Sequence, residues 1–365
     1  MSSKRRIIPI FVPHRGCPND CFFCNQKRIT NCYDDLSVDR IKRETGEKIN
    51  APYNIGKELE LAYYGGSFTA IEPSLRVELL KFAKELKENN QIKQFRISTR
   101  PDAVDSEIIR ELKDYYVDTV EIGVQSTNDN VLKLINRGHT YQDIIRASIM
   151  IRENGLRLGH QVMPGLYGSN FNKDIQTVRD SIKLRPEITR IYPTLVLKDT
   201  MFETLHANKD FNPLSLEESI KQVAVLYCMY RYHGVEVIRM GLQPTEEINY
   251  DKAVIAGPFH PAFKQMVLTN IYVTALVHRM KSASNESWSI SCNESLYNII
   301  AGQKKNGLIL LKKHLNIKRI AFILNNSALD GMISIKTDNE TYLLYETELM
   351  NTFYEKNAAV WMKDV

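Results

Sequence analysis

The sequence predicts an α/β fold in which six parallel strands alternate with helices. From Ile7 to about Leu195, short runs rich in β-branched and aromatic residues recur, and longer segments with helical periodicity separate them. Repeated strand–helix units of this kind build a parallel sheet. The predicted strands are Ile7–Val12, Glu58–Tyr64, Phe95–Thr99, Thr119–Val124, Arg157–Met163 and Ile188–Leu195. The predicted helices are Val38–Lys48, Pro73–Glu88, Ser106–Tyr115, Asn130–Asn136, Tyr141–Glu153 and Asn172–Leu184.

Each predicted strand ends where glycine, proline or polar residues begin. Six strand–helix units suit an incomplete barrel and also a doubly wound open sheet, and periodicity does not separate the two. In both architectures, ligands bind at the carboxyl ends of the strands. We therefore expect the functional site at that edge.

The pattern changes after the sixth strand. Ser215, with Glu218 three residues later, forms a capping-box pattern that predicts a helix over Ile220–Tyr232. A further strand is predicted at Val235–Ile238, and from about Trp288 the pattern indicates a small α/β unit. The elements predicted in that unit are a helix at Leu308–Leu315 and strands at Ile320–Leu324 and Met332–Ile335. The predicted domains are a barrel-sized domain at 1–245, a helical and loop extension at 246–287 and the small α/β unit at 288–365.

The composition is that of an ordinary globular protein. Of the 365 residues, 43% are hydrophobic and 25% are charged. The apolar run Ile7–Val12 ends at Pro13 and is too short for a signal peptide or a membrane span, so we expect a cytoplasmic location and no membrane partner. The net charge of +5 is modest for this length and does not by itself indicate an anionic partner.

Four of the six cysteines lie between Cys17 and Cys32. In a reducing compartment, such a group indicates metal binding or catalysis rather than disulfides. The spacing Cys17-x3-Cys21-x2-Cys24 favours a 4Fe-4S cluster with three thiolate ligands, because the fourth iron then stays open to a cofactor or substrate. The alternatives are a structural zinc site completed by Cys32 or His14, a Cys21-x2-Cys24 redox pair, and a disulfide. Cys228 and Cys292 are predicted to be structural.

The cysteine spacing, with aromatic Phe23 before the third cysteine, resembles the signature of the radical S-adenosylmethionine (SAM) superfamily. The resemblance implies that Cys17, Cys21 and Cys24 hold a 4Fe-4S cluster whose open iron binds SAM. It also implies reductive cleavage of SAM to methionine and a 5′-deoxyadenosyl radical. The fold it implies is a partial (β/α)6 TIM-type barrel, here with a small C-terminal α/β extension.

Further motifs resemble one branch of that superfamily, the relatives of the catalytic subunit of eukaryotic Elongator. They occur in the expected order and at strand ends. They are Pro13–Cys24, Tyr64–Phe68, Ser98–Asp102, Glu121–Ser126, Met163–Leu166 and Ile191–Val196. Elongator-type enzymes continue into an acetyltransferase domain, for which we find no glycine-rich acetyl-CoA loop in this sequence. We therefore expect the SAM-cleaving half and an affinity for RNA to carry over, rather than acetyl-CoA chemistry.

The motifs imply a set of SAM contacts. Gly65 and Gly66 allow the backbone to approach the methionyl ammonium closely, and the guanidinium of Arg100 can form a fork with a carboxylate. Gln125 is the candidate for the ribose, whereas Glu121 on the same face is either a ligand or a buried structural acid. The cofactor-binding residues implied in full are Phe23, Gly65, Gly66, Ser67, Thr99, Arg100, Gln125, Val162 and Met163.

The substrate and partners are less defined. Tyr192 and Lys198 follow the sixth strand and are candidates for catalysis, or else a packed tyrosine and a solvated lysine. A basic group predicts RNA binding, with a solvated helix face as the alternative; its members are Lys304, Lys305, Lys312 and Lys313. We expect tRNA or another RNA as substrate, and an electron donor such as flavodoxin or ferredoxin. Alternative functions are radical chemistry on a small metabolite or a protein, and a non-catalytic zinc-binding RNA module.

Overall fold

A computed structural model of the chain describes residues 6–12, 17, 19–25, 37–246, 248–283, 286–325 and 331–362. His14 and Cys32, the two additional candidate metal ligands, lie outside these residues. The chain divides into two compact units. The first contains Met1–Pro213 and Leu242–Gly257, and the second contains Leu214–Gly241 and Pro258–Val365. Compactness does not decide which segments fold independently, so the domain boundaries predicted from the sequence stay a prediction.

The first unit is built on six parallel strands that neighbour each other in sequence order. A doubly wound sheet would place later strands on both sides of the first. The sequential order instead matches a barrel, so the predicted partial (β/α)6 barrel is confirmed. The strands are β1 (Arg6–Phe11), β2 (Leu59–Tyr64), β3 (Gln94–Thr99), β4 (Thr119–Gln125), β5 (Arg157–Val162) and β6 (Ile188–Ile191).

Helices connect these strands, and polar side chains cap them. The side chain of Thr140 accepts a hydrogen bond from the N–H of Asp143, and Asp143 reciprocates in a capping box. Asp105 caps another helix by accepting from Glu107 and Ile108. The helices are α1 (Val38–Ile49), α2 (Pro73–Glu88), α3 (Ser106–Asp114), α4 (Asp129–Leu134), α5 (Tyr141–Glu153), α6 (Phe171–Lys183) and α7 (Met201–Ala207). Single 3-10 turns occur at Pro52–Asn54, Phe68–Ala70 and Pro101–Ala103.

Three short strands follow β6. They are β7 (Val196–Leu197), β8 (Glu236–Met240) and β9 (Val254–Ala256). β7 and β9 belong to the first unit and pair antiparallel, whereas β8 belongs to the second. The sixth predicted strand was too long at its carboxyl end, because Pro193 cannot donate to a ladder and the strand stops at Ile191.

The two faces of the barrel sheet differ in chemistry. Leu61, Tyr63 and Ile97 are buried on one face and form part of the apolar core. The other face carries charged residues that are equally buried, among them Glu60 and Arg96. Strand alternation separates the two sets, so the charged set lines the inside of the barrel.

The second unit contains a four-stranded sheet in the order β11-β10-β12-β13, in which β10 and β11 are parallel and the other pairs are antiparallel. Its strands are β10 (Ser287–Cys292), β11 (Arg319–Leu324), β12 (Met332–Lys336) and β13 (Thr341–Tyr345). Its helices are α8 (Leu216–Tyr232), α9 (Phe263–Arg279), α10 (Glu294–Ala301), α11 (Asn306–Leu315) and α12 (Glu346–Asn357). The remaining 3-10 turns are Gln303–Lys305 and Ala359–Met362. The capping box of Ser215 and Glu218 is present at α8. The helix predicted at Leu308–Leu315 and the strands predicted at Ile320–Leu324 and Met332–Ile335 are present as α11, β11 and β12. β10, β13, α10 and α12 were not predicted from the sequence.

None of the helices within the described residues is both long and apolar enough to cross a bilayer.

Candidate functional site

The loop that carries the cysteines follows β1 and is held by hydrogen bonds to its backbone. The N–H of Cys24 donates to the carbonyl of Cys21 at 2.9 Å, which turns the loop tightly. The N–H of Phe22 donates to the carbonyl of Ile135 at 3.0 Å, and the amide of Asn136 donates to the carbonyl of Asp20 at 3.0 Å. The loop is therefore docked on the segment that follows α4.

Two arginines bring positive charge to the cysteines. Nη1 of Arg137 lies 3.5 Å from Sγ of Cys21, and its Nη2 donates to the carbonyl of Gly123 at 3.0 Å. Burial raises the pKa of Cys17, while the charges of Arg137 and Arg100 act to lower it. Cations beside thiolate ligands favour both ligand deprotonation and a reduced, more negative cluster.

Arg137 and His139 were not singled out by the sequence reasoning. Gly138 between them has φ +76°, and a Cβ there would lie 1.8 Å from Nδ2 of Asn19, so another residue would adopt a strained φ and displace the Asn19 side chain. Burial, with the charges of Arg137 and Arg100, lowers the pKa of His139 to about 2, so its ring is neutral. These residues lie more than a hundred positions from the cysteines in sequence, and no local periodicity connects them.

Cys17, Cys21 and Cys24 form no disulfide and lie in one loop, so each could serve as a separate ligand of an iron–sulfur cube. Within the described part of the chain, no three His, Cys, Asp or Glu side chains come together closely enough to hold one metal ion. A cubane places each cysteine on a different iron, so its ligands stand further apart than those of zinc. Arg100 is 1% exposed, and its Nη1 has no hydrogen-bond partner among the described residues, which leaves a donor aimed at this edge.

Gly65 brings the end of β2 against the start of the cysteine loop. Its φ is +104°, and a Cβ there would lie 2.6 Å from the carbonyl oxygen of Val12. The N–H of Val12 in turn donates to the carbonyl of Tyr64 at 2.7 Å. Gly66 follows as a half-buried residue. The glycine pair thus lies beside the chain that leads to Cys17, as a shared cofactor would require.

Ser67 and Thr99 are buried and bonded to each other. Their hydroxyls are 2.8 Å apart, and Thr69 bonds Thr99 at 2.6 Å. The N–H of Arg100 donates to Ser67 at 3.3 Å. The side chain of Arg100 then forms a fork on Asp102, with Nε–Oδ1 3.0 Å and Nη2–Oδ2 2.9 Å. The hydroxyl network thus fixes the turn that orients Arg100.

Gln125 sits at an irregularity in β4. It has φ +65°, a backbone conformation that residues other than glycine seldom adopt. The register with β5 shifts between Gly123 and Gln125. Its Oε1 accepts from Nε2 of Gln161 at 3.3 Å, and its carbonyl accepts from the N–H of Met163 at 2.9 Å. Strain of this kind clusters at functional sites because it re-aims a side chain.

An apolar cluster joins several predicted site residues. Buried Met163 belongs to it, and half-buried Phe23 and Tyr192 pack against it. Val162 is buried and its carbonyl accepts from the N–H of Tyr192 at 2.9 Å. Lys198 is held through its backbone. Its N–H donates to the carbonyl of Ala253, and its carbonyl accepts a hydrogen bond from the side chain of Asn25.

Glu121, left open between ligand and structural acid, lies in a buried charge network. It pairs with Nη1 of Arg96 at 2.5 Å and with Nε of Arg190 at 2.6 Å, and Arg96 pairs with Glu60 at 2.6 Å. Burial acts to raise the pKa of Glu121, but the two guanidinium groups hold it below its usual range. Glu121 is therefore an ionised structural residue in this structure.

The four lysines of the predicted RNA-binding group, Lys304, Lys305, Lys312 and Lys313, belong to the second unit and are exposed. Lys304 and Lys305 have φ values of 49° and 61°, so two consecutive lysines adopt the left-handed conformation just before α11. Lys312 and Lys313 lie in the last turn of that helix, where cations suit the helix dipole.

Comparison with known proteins gives the family. Residues 11–180 match the family model described as Radical SAM superfamily, and residues 186–272 match the Radical_SAM C-terminal domain. A tRNA uridine(34) acetyltransferase of Methanocaldococcus infernus is 28% identical over 212 residues, which cover 53% of this chain and 39% of that protein. One from Dehalococcoides mccartyi is 31% identical over 229 residues, covering 54% and 50%. The solved archaeal Methanocaldococcus infernus Elp3 with an N-terminal deletion has a TM-score of 0.58 and 20% identity, covering 75% of this chain and 64% of that one.

The chain therefore belongs to the radical SAM superfamily. Within that superfamily it is similar to the radical SAM part of Elongator-type proteins. It spans about half, or less, of the length of these curated relatives.

Proposed function

We propose that the protein cleaves SAM reductively at a 4Fe-4S cluster held by Cys17, Cys21 and Cys24, and uses the resulting radical to modify RNA. The observation that supports this most strongly is the docking of the cysteine loop at the carboxyl edge of the barrel, next to Gly65 and two arginines. With cluster and SAM bound, the site would supply a 5′-deoxyadenosyl radical.

The residues around the cysteines have distinct proposed roles. The backbone of Gly65 and Gly66 binds the methionyl ammonium, and the unused Nη1 of Arg100 binds the methionyl carboxylate. Ser67 and Thr99 hold the turn that orients Arg100.

We assign the contacts with the adenosyl half of SAM to other residues. Gln125 contacts the ribose from its strained position. Val162, Met163 and Phe23 line the adenine with apolar surface, since Met163 and Phe23 share one cluster. Tyr192 packs against the same cluster, and we therefore infer that it is a stronger catalytic candidate than Lys198.

RNA is the proposed substrate. The two curated relatives are described as acting on tRNA uridine, and the second unit presents an exposed basic group at Lys304, Lys305, Lys312 and Lys313. Phosphate contacts from such lysines would position RNA without reading its sequence. An electron donor such as flavodoxin or ferredoxin completes the proposal, and the cytoplasmic location stays a prediction.

Anaerobic reconstitution tests the cluster. We expect iron and sulfide to give a brown protein that converts SAM to 5′-deoxyadenosine in the presence of a strong reductant, measured by liquid chromatography. A colourless protein with bound zinc would contradict the proposal and favour the zinc-binding RNA module.

The substrate is tested by adding tRNA. We expect tRNA to bind and to change the rate of 5′-deoxyadenosine formation. An unchanged rate without RNA binding would favour radical chemistry on a small metabolite or a protein. Comparison of tRNA nucleosides by mass spectrometry from cells with and without the gene would then identify the modification.

The basic group is tested by replacing Lys312 and Lys313 with glutamate. Because each lysine–phosphate contact releases counterions, the variant should bind RNA more weakly and with a shallower dependence on salt, measured by fluorescence anisotropy. Cluster absorbance serves as the internal control. An unchanged salt slope would mean that these lysines form only a solvated helix face.

A further inference from the structure

The four-stranded sheet of the second unit has an edge strand without the usual protection. β11 lies at one edge, and after Arg319 it contains neither a charged residue nor a proline. Two of its apolar side chains are largely in water, since Ile323 is 56% exposed and Leu324 is 54% exposed. Natural edge strands usually carry charges, proline or a bulge that prevents pairing with another chain, as β1 does with Pro9 at the edge of the barrel sheet. β11 is therefore open to a further strand.

The backbone of β11 offers three residues for such pairing. The N–H of Arg319 donates to the carbonyl of Glu286 at 3.1 Å, which directs it towards β10. The N–H of Asn325 likewise donates to the carbonyl of Cys292 at 2.9 Å. Because successive residues of a paired strand direct their N–H and C=O groups to alternate sides, the even-numbered residues between these two direct theirs away from β10. They are Ile320, Phe322 and Leu324.

A two-fold axis at Phe322 makes this edge complementary to itself. When two β11 strands pair antiparallel about that axis, Phe322 lies opposite its own copy as a hydrogen-bonded pair. Ile320 then lies opposite Leu324 of the second copy, and Ala321 lies opposite Ile323 of the second copy. Every outward-directed backbone group of the three residues finds a partner, and each exposed apolar side chain meets another apolar side chain.

The opposite edge of the same sheet lacks this property. β13 also carries an exposed apolar residue, Leu343, which is 60% exposed. Antiparallel pairing about Leu343 would place Glu340 opposite Glu346 of the second copy, and like charges directly opposite each other destabilise a strand pair. At β11 the corresponding positions are Arg319 and Asn325, so no like charges meet. The charge pattern therefore favours β11 over β13 for association of two copies.

We propose that the protein forms a two-fold symmetric dimer in which two β11 strands pair antiparallel and join the two sheets into one. Ile323 and Leu324 of each copy then leave water, which supplies the apolar part of the binding free energy. Phe322 is already held within its own chain, because the ring of Tyr297 in α10 lies 4.8 Å from its ring in an edge contact. The strand is thus ordered before it pairs, which lowers the entropic cost of association.

Sedimentation equilibrium of the full chain with its cluster reconstituted measures the dimer. A single strand pair buries less surface than a standard protein interface, so we expect a monomer–dimer equilibrium with a dissociation constant in the micromolar range. Ile323→Lys places a charge between the strands twice in each dimer and should weaken association by at least about tenfold. A wild-type protein that stays monomeric at millimolar concentration would overturn the proposal.

Leu343→Lys is the matched control. Leu343 lies on the same face of the sheet as Ile323 and in the same row, because the register runs from one to the other through Ser291 and Ser334. It has similar exposure but stands at the opposite edge. The control should change the dissociation constant by less than about twofold, and equal effects of the two lysines would overturn the proposal.

Leu324→Pro tests the backbone pairing without adding a charge. The N–H of Leu324 points away from β10, so proline leaves the pairing with β10 in place and removes one outward donor from each copy. Association should again weaken by about tenfold, while circular dichroism and cluster absorbance stay those of the wild type. If Ile323→Lys does not fold, this variant decides the test. Wild-type affinity in Leu324→Pro would show that the two strands do not pair and that the proposal is wrong.

Discussion

Two layers of the barrel interior differ in how completely their polar groups are paired. In the lower layer, Glu60, Arg96, Glu121 and Arg190 form a continuous chain of buried ion pairs. At the carboxyl edge above it, Gly65 and Gln125 have positive φ, and Arg100 and Arg137 each keep a nitrogen without a partner among the described residues. Buried polar groups are normally paired, so the first layer belongs to the scaffold, and the unpaired groups of the second are consistent with the proposed ligand site.

The largest effect is expected at the edge layer. Replacing Cys17, Cys21 or Cys24 with alanine should abolish both cluster absorbance and SAM cleavage, because the cluster has no spare thiolate. Cys228 is 1% exposed and burial raises the pKa of its thiol well above the usual range, so Cys228→Ala is the matched control and should retain both. We expect Cys32→Ala and Cys292→Ala to retain both as well. Loss of the cluster in Cys32→Ala would show that the ligand set is larger than three.

A substitution in the lower layer should lower the stability of the fold. Glu121→Gln removes the anion between two buried guanidinium groups, and breaking a buried pair in this way costs about 3–5 kcal/mol. We expect the free energy of unfolding, measured by urea titration, to fall by that amount. Glu44→Gln breaks a partly exposed pair with Arg40 in the same unit, and such pairs contribute about 0.3–0.5 kcal/mol. Equal losses in the two variants would contradict a structural role for the lower layer.

Gly65→Ala tests whether the close contact between Gly65 and Val12 matters for the edge layer, apart from the backbone strain of a positive φ. The new Cβ would meet the carbonyl of Val12, and a left-handed residue adds about 1–2 kcal/mol of its own. Gly155→Ala is the control, because Gly155 also has positive φ, +76°, but nothing lies within 4 Å of its Cβ position. Both variants should lose stability in thermal unfolding, and only Gly65→Ala should lose SAM binding in equilibrium dialysis. Unimpaired SAM binding by Gly65→Ala would remove Gly65 from the site.

A smaller effect is expected from His160, which lies in β5 outside both layers. Burial lowers its pKa from 6.5 to about 3. Below pH 6.5 the unfolded chain binds a proton that the folded chain does not, so stability falls as the pH decreases, by about 1.4 kcal/mol per pH unit. His160→Asn should flatten the decline between pH 6.5 and 5.5 by about 1 kcal/mol, measured by urea titration. An identical pH slope in the variant would mean that His160 is not buried in its neutral form.

Much of the barrel could be predicted from the sequence because its strands are short apolar runs ending in glycine, proline or polar residues. The order of the strands could not, since periodicity reports which residues face the core and not which strands are neighbours. In the second unit, β10 alternates serine with buried Trp288, Ile290 and Cys292, a signal of period two that is short and rich in small polar residues. Tertiary pairing with β11 and β12, rather than propensity, makes it a strand.

The sequence predicts the site residues that belong to local motifs. It does not predict the residues that only folding brings together. The cysteines and the glycine pair form recognisable motifs within a few residues. Arg137 follows a short helix and reaches Cys21 across 116 positions, and Arg190 meets Tyr64 across 126. Contacts at such separations leave no periodic pattern, so only the structure could show them.

The sequential order of the six strands has a consequence for how the protein is made. Each strand pairs with the one synthesised just before it, so the sheet can grow strand by strand as the chain leaves the ribosome. Glu121 can meet Arg96 at once, but it must wait 69 residues for Arg190. Translation therefore completes the charged interior only when β6 emerges, so a chain released before that point would carry the cysteines on an unfinished scaffold.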